Sequence, residues 1–199
     1  MLTFYLVRHG AKEAVPFDPP LTKIGLKQAQ ITASHLQNIP FKEILSSPKL
    51  RARQTAELFA KAQAIPISID DRLIERLEWE NNESFDEFIN EWNKTDLERT
   101  YKPKKGVSSK TNGAQMKKIL DELAEKHSEG NVLIISHGGT IGDLLRDIFT
   151  EKAIDHVVEP MSGARYIDLL ECSITVIQKD GSYKLIKTGD ISHFSIPLI

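Results

Sequence analysis

Cysteine is nearly missing from this chain. Cys172 stands alone among 199 residues, so no internal disulfide can form and a CxxC metal cluster is excluded. Neither an H-x-x-x-H nor a D-x-D-x-D spacing occurs, so no metal and no cofactor are expected. A Walker glycine loop is absent too, which argues against a nucleotide triphosphatase. Charge of one sign is not in excess. The net charge is -2, giving no electrostatic case for nucleic acid or for an anionic membrane. Any anion site must therefore be local. No apolar run approaches the length of a membrane span. Met1 leads straight into an apolar stretch with no basic region or cleavage site, so the expected compartment is the cytoplasm.

What is present reads as an ordinary globular chain, 40% hydrophobic and 27% charged. Its length suits one domain, or one domain with a large insertion. The organising stretch is Leu2 to Gly10. Leu2 to Val7 is apolar and β-prone with only Thr3 polar, which predicts a buried strand. The run stops at Arg8, His9 and Gly10. In an open α/β sheet, ligands bind beyond the carboxyl ends of the strands. An arginine and a histidine at that edge, with a glycine to turn the backbone, form a candidate catalytic edge.

Residues 11 to 20 form a loop, because Pro16, Pro19 and Pro20 oppose helix. Leu26, Ala29, Ala33 and Leu36 recur at helical spacing behind a Thr22 cap, predicting a helix over 22–38. His35 within it reads as a surface residue. A short strand follows at Phe41 to Leu45. Ser47-Pro48 then reads as a helix start, with serine as the cap and proline at the first position. Arg51 and Arg53 near that first turn oppose the helix dipole. Either an anion binds there, where free N–H groups also point, or the arginines are plain surface residues.

Ile65 to Ile69 is another short strand. Phe85, Phe88, Ile89 and Trp92 give a helix over 84–97 with an aromatic stripe, expected to pack against the body. Residues 99–112 are basic and bear glycine and serine, which predicts a mobile loop. Met116, Ile119, Leu120, Leu123 and Ala124 mark a further helix, stopped by Gly130. Val132 to Ile135 repeats the opening logic: a buried strand, then Ser136-His137-Gly138-Gly139, then a helix from Ile141 to Phe149. Tyr166 to Leu170, Ser173 to Gln178 and Tyr183 to Lys187 read as strands, the last two joined by an Asp180-Gly181 turn. Alternating strands and helices to residue 150 imply a largely parallel sheet covered on both faces, with the hairpin antiparallel at one side.

Collected at the strand ends stand Arg8, His9, Arg51, Glu75 and His137. Two arginines and two histidines closed by a helix N-terminus suit a phosphate dianion, because the arginine fork pairs with phosphate oxygens. A histidine among them can attack phosphorus if one ring nitrogen is unprotonated and aimed.

Leu6-Val7-Arg8-His9-Gly10, Leu21-Thr22 with Gly25 and Gln28-Ala29, Ser46-Ser47-Pro48 with Arg51-Ala52 and Gln54-Thr55, and Ser136-His137-Gly138-Gly139 resemble the histidine phosphatase superfamily, the phosphoglycerate-mutase-like proteins. The resemblance covers nearly the whole chain, with its motifs in order. It implies a three-layer α/β/α sandwich with a mostly parallel central sheet. It implies that His9 is phosphorylated during turnover and that Arg8, Arg51 and His137 hold the phosphoryl group. Glu75 falls where the family carries its proton donor, with Glu78 and Glu80 as close rivals. Two segments depart from the family pattern. Ala11 and Lys12 stand where a Glu or Gln often follows the arginine-histidine-glycine, and Gly106 to Gly113 lacks the usual Gly-Glu-Ser.

The resulting expectation is one domain over 1–199, with a helical and loop insertion at about 80–113 over the active site. The expected activity is a metal-independent phosphomonoesterase acting through phosphohistidine on a small phosphorylated molecule. The alternatives are a phosphomutase using the same intermediate, or a phosphate- or protein-binding module without turnover. Oligomeric state is left open, a homodimer included.

Overall fold

The structure, a computed structural model, describes residues 1–154, 158–161, 164–167 and 169–194. The chain opens with strand β1 (Leu2–Arg8), helix α1 (Lys23–Leu36), β2 (Phe41–Ser46), α2 (Leu50–Gln63) and β3 (Ile67–Ile69). A single 3₁₀ turn (Asp71–Leu73) leads toward α3 (Phe85–Leu97) and α4 (Ser109–Lys126). Then come β4 (Gly130–Ser136), α5 (Gly138–Ile148), the four-residue α6 (Glu151–Ile154), β5 (Val158–Met161), β6 (Ala164–Ile167), β7 (Ile174–Asp180) and β8 (Ser182–Asp190).

Six strands form one mixed sheet in the order β3-β2-β4-β1-β7-β8. The first four are parallel, and β7 and β8 are antiparallel additions beside β1. Alternation along the central strands divides the core in two. Leu2, Phe4, Leu6, Val132 and Ile134 pack against Met116, Ile119, Leu120 and Leu144 of α4 and α5. Val7, Leu133 and Ile135 pack on the other face against Ala33, Leu36, Ala52 and Phe59 of α1 and α2. Period-2 side chains on strands covered on both sides therefore produce three layers, α/β/α.

Several local signals act as expected. The Thr22 hydroxyl accepts from the Gly25 N–H and caps α1. Gly25 also lets α1 approach the first loop: any Cβ there would run into the Ala11 carbonyl, and one on Gly10 would run into Gly25. Leu26, counted among the apolar positions of α1, is exposed, and Gln28 and Thr32 are buried instead. A small antiparallel ribbon, β5 with β6, joins α6 to the main sheet's antiparallel edge. The strand expected to run from Tyr166 to Leu170 ends at Ile167, and residue 168 lies outside the described residues.

The basic stretch expected to be mobile is tied down. Residues from Ser109 onward belong to α4, capped by the Ser108 hydroxyl. Arg99 donates to the Arg146 and Asp143 carbonyls at 3.0 and 3.2 Å and to Asp147 Oδ1 at 3.0 Å. It thereby anchors the segment to α5, where a cation also meets the open Arg146 carbonyl of the last turn. Lys110 pairs with Asp147 as well, at 2.9 Å.

Beneath this segment lies a buried ionic network. Arg76 donates to Asp143 at 3.0 and 3.1 Å, to Asp96 at 2.6 Å and to Thr95 Oγ1 at 2.9 Å. Asp143 also accepts from the Ser109 hydroxyl at 2.6 Å. The network ties the loop after β3 to α3, α4 and α5. Taking one partner away leaves uncompensated buried charge. Arg76→Met is therefore expected to destabilise the protein by about 3–5 kcal/mol, measured by urea unfolding. A loss below about 1 kcal/mol would show that the network contributes little.

Candidate functional site

The parallel pairing of β1 with β4 sets Arg8 opposite Ser136. The residues that follow, His9 and His137, therefore emerge side by side at the carboxyl edge. Their rings meet edge to face, with centroids 5.1 Å apart. The His9 N–H bonds the Ser136 carbonyl at 3.0 Å, which holds the two strand ends together.

His9 is buried and oriented from both ring nitrogens. Nδ1 lies 2.8 Å from the Gly10 carbonyl oxygen, which can only accept, so Nδ1 carries the proton. Nε2 is then a lone pair, and Arg51 Nε donates to it at 3.2 Å. Burial, followed by the nearby Arg51 and Arg8 charges, lowers the His9 pKa well below the usual histidine value. The ring is thus held neutral with a nucleophilic nitrogen facing the cavity.

His137 caps α5 by position but makes no side-chain cap bond. Its Nε2 lies 2.8 Å from the Ser47 hydroxyl. Ser47 also accepts weakly from the Lys49 N–H at 3.4 Å, leaving its own proton for His137. With the hydroxyl donating in that bond, the His137 proton stands on Nδ1, which has no partner. Ser47 is accordingly not the helix cap that its sequence suggests. The cap position falls to Lys49, whose side chain makes no cap bond, and the Leu50 N–H is taken by Asp18 Oδ1 at 2.9 Å. The serine is drawn under His137 instead, a role that no local motif signals.

The arginines are held from behind by acids. Arg8 donates to the Leu169 carbonyl and to Glu171 Oε1, the latter at 2.6 Å. Arg51 is 3% exposed and donates from Nη2 to Glu78 Oε1 at 2.7 Å. Asp18 Oδ1 makes a longer ion pair with Arg51 Nη1 at 3.7 Å, beyond hydrogen-bond range. Among the described residues, five buried side-chain polar atoms lack any partner. Three of them are Arg8 Nε, Arg51 Nη1 and His137 Nδ1, all around His9. Buried donors are rarely left unpaired, so this clustering marks a place built for an acceptor-rich ligand. The α5 N-terminus beside them adds free N–H groups and a positive dipole end. A phosphoryl group matches this set in charge and in its number of acceptors.

Glu75 faces the cavity at the α5 N-terminus. Its Oε2 accepts from the Gly139 N–H at 3.0 Å, and its Oε1 from the Arg76 N–H at 3.1 Å. Gly139 is needed for this: a Cβ there would sit 2.5 Å from Glu75 Oε1 and 2.7 Å from Trp92. Burial is the main cause that raises the Glu75 pKa to about 7, against the opposing pull of Arg76. Of the two rival acids, Glu78 also lines the cavity but is bonded to Arg51, and Glu80 lies outside the lining. Glu80 pairs with Lys105 at 3.6 Å. Among the described residues no group of three or more His, Cys, Asp or Glu is placed to hold a metal ion.

Above this floor the cavity measures about 280 Å³. The aromatic stripe of α3, expected to pack inward, forms one of its walls through Phe85, Phe88, Ile89 and Trp92. Phe17 and Val15 close it from the first loop, where the Phe17 N–H donates to the Trp79 carbonyl at 2.7 Å. Arg53, weighed with Arg51 as an anion ligand, is exposed and outside the lining.

If Ser47 sets the His137 tautomer, Ser47→Ala should weaken inorganic phosphate binding about tenfold. Calorimetric titration checks this, and unchanged affinity would remove Ser47 from the site.

Comparison with known proteins agrees with this layout. Residues 4–188 match the family model of the histidine phosphatase superfamily (branch 1). A curated relative from Yersinia pestis (strain Pestoides F), named probable phosphoglycerate mutase GpmB, is 28% identical. That alignment covers 100% of this chain and 98% of the relative. Among solved structures, Bacillus stearothermophilus YhfR superposes with a TM-score of 0.75 at 26% identity, covering 97% of this chain and 99% of that one. A phosphoserine phosphatase from Entamoeba histolytica gives a TM-score of 0.71 at 22% identity, covering 97% and 99%.

Proposed function

Since the chain belongs to the histidine phosphatase superfamily, we propose that it is a phosphomonoesterase acting through phosphohistidine at His9 on a small phosphorylated molecule. The observation that carries this reading is the trio of partnerless nitrogens, Arg8 Nε, Arg51 Nη1 and His137 Nδ1, around the unprotonated Nε2 of His9.

In this reading His9 Nε2 attacks phosphorus in line with the ester oxygen. As the N–P bond forms, Arg51 Nε–H is released from the histidine and can turn to a phosphoryl oxygen. The three donors and the α5 N-terminus take the charge on the equatorial oxygens. The P–O bond breaks, and protonated Glu75 gives its proton to the departing alcohol. Water then enters, Glu75 as carboxylate removes its proton, and attack on phosphorus breaks the N–P bond to free phosphate. A pKa of about 7 suits a group that must serve in both forms. Cationic side chains supply the positive charge, so metal is not required. One cytoplasmic domain, with residues 80–113 as cover, completes the proposal.

A mutase is the second reading, favoured by the name of the Yersinia relative. It needs further cations to grip a small acidic substrate. Of the candidates on the 94–110 stretch, Lys94 pairs with Glu91, Arg99 and Lys110 with Asp147, and Lys105 with Glu80, while Lys102 and Lys104 make no ion pair among the described residues. None of them lines the cavity. Hydrolysis is therefore favoured. Phosphate release from simple monoesters should far exceed interconversion of 3- and 2-phosphoglycerate, even with the bisphosphate primer. The reverse ratio on one preparation would favour the mutase.

His9→Ala should lower turnover to under about one per cent while the fold persists. Wild-type enzyme quenched during turnover of labelled substrate should carry acid-labile, alkali-stable phosphate that the variant lacks. Turnover that survives in the variant would refute the nucleophile.

The pH profile tests Glu75. The first step needs its protonated form, so kcat/KM should fall as pH rises through about 7. Glu75→Gln should erase that alkaline limb and lower kcat by about 100-fold or more. A limb that persists in the variant assigns it to another group. Exhaustive EDTA dialysis should leave the rate intact, and a rate restored only by Zn²⁺ or Mg²⁺ would contradict metal independence.

A further inference from the structure

The phosphate floor uses only one end of the cavity. The rest is walled by aromatic residues that belong to neither face of the sheet's core. Trp79 and Phe85 meet edge to face at 5.3 Å, Phe85 and Phe88 lie 6.1 Å apart, and Phe88 and Trp92 lie 6.0 Å apart. Arg76 stacks on the far side of this series, 3.9 Å from the Trp92 ring. Phe85 is 53% exposed, and Trp79, Phe88 and Trp92 are only half-buried. A contiguous apolar surface of this kind, opening on a catalytic floor, is costly to leave wet unless something covers it. Phe17, on the facing loop, holds a left-handed backbone with φ 74°. That conformation is costly for a bulky residue and recurs at ligand clamps.

The charges around this wall are already matched. Arg76 is neutralised by Asp143 and Asp96, and Arg146 lies 3.6 Å from Asp96. Lys12 also lines the cavity; it stands three residues after His9 on the loop leaving β1, its backbone bridged to Leu21, which sets it at the phosphate end. The far end thus offers apolar faces and, among the described residues, no uncommitted cation for a second acid group.

We infer that the substrate is a phosphomonoester whose alcohol carries a ring-sized apolar body and no carboxylate, seated against Trp79, Phe85 and Phe88. The inference rests on the phosphatase reading and names the substrate class of that same site. The apolar body excludes water from the ester while the phosphoryl group fills the donor triplet. Contact with the aromatic wall is paid back as affinity, because apolar area leaves water only when the ring is present.

Binding is tested apart from turnover, with phosphonates that no phosphatase cleaves. Calorimetry on the wild-type protein should give 2-phenylethylphosphonate an affinity about tenfold or more above ethylphosphonate. In turnover, 2-phenylethyl phosphate should exceed ethyl phosphate in kcat/KM by a similar factor, mostly through KM. The two alcohols are of similar acidity, so the difference reports the wall and not the leaving group. Phe88→Ala and Trp79→Ala should each shrink that ratio. Equal phosphonate affinities, or a preference for 3-phosphoglycerate over both alkyl esters, would overturn the inference and leave the phosphatase reading standing. Absence of hydrolysis of any ester would overturn the phosphatase reading, while the phosphonate pair would still decide whether the wall binds a ring.

Discussion

The register between β1 and β4 is the constraint on which everything else at this site depends. Parallel pairing places Arg8 opposite Ser136, so the next residue of each strand reaches the same point in space. A slip of one residue would turn every side chain to the other face of the sheet. Leu2, Phe4 and Leu6 would then lose the α4–α5 core, and the two histidines would part. The same apolar burial that stabilises the fold therefore fixes the histidine pair, and the chemistry needs no separate device to hold it.

That placement brings a cost which the surrounding residues offset. Two arginines and two histidines in a buried space repel one another, and desolvation penalises each charge. The structure answers in two ways. The histidines are kept neutral by burial and by the arginines beside them. The arginines are paired on their rear edges with Glu171 and Glu78, leaving one edge of each toward the cavity. The empty pocket is thus electrostatically tolerable yet still short of acceptors, a preorganised state that suits a phosphoryl ligand.

The Arg76 network extends this logic outward. One guanidinium joins the Glu75 loop, α3 and α5 through Asp96 and Asp143, and it stacks on Trp92 of the cavity wall. The acid candidate and the apolar wall are consequently positioned by the same buried group. Wall and acid candidate are thereby tied to one another, which links the shape of that end of the cavity to the carboxyl proposed as proton donor.

Much of this was legible in the sequence. Short buried runs ending in Arg8-His9-Gly10 and Ser136-His137-Gly138 declared both strands and the edge where they stop. Thr22 declared the start of α1. These signals are local: side-chain period, caps and turn residues act over a few positions, so a linear reading recovers them. Tertiary structure alone decided the rest. Ser47 carries a good capping sequence, but the hydroxyl goes to His137, ninety residues away. The stripe of α3 announces a face that needs cover without saying whether protein or ligand provides it. Three glutamates stand within six residues, and burial beside Gly139 and Trp92, helped by the Asp143 and Glu78 charges, lifts Glu75 to about 7 while Arg51 and Lys105 engage the other two. Burial and charge pairing depend on what the folded chain brings near, which is why the sequence determined the edge and the nucleophile candidate, and tertiary contact set the surroundings of the three glutamates, the partner of Ser47 and the place of the wall.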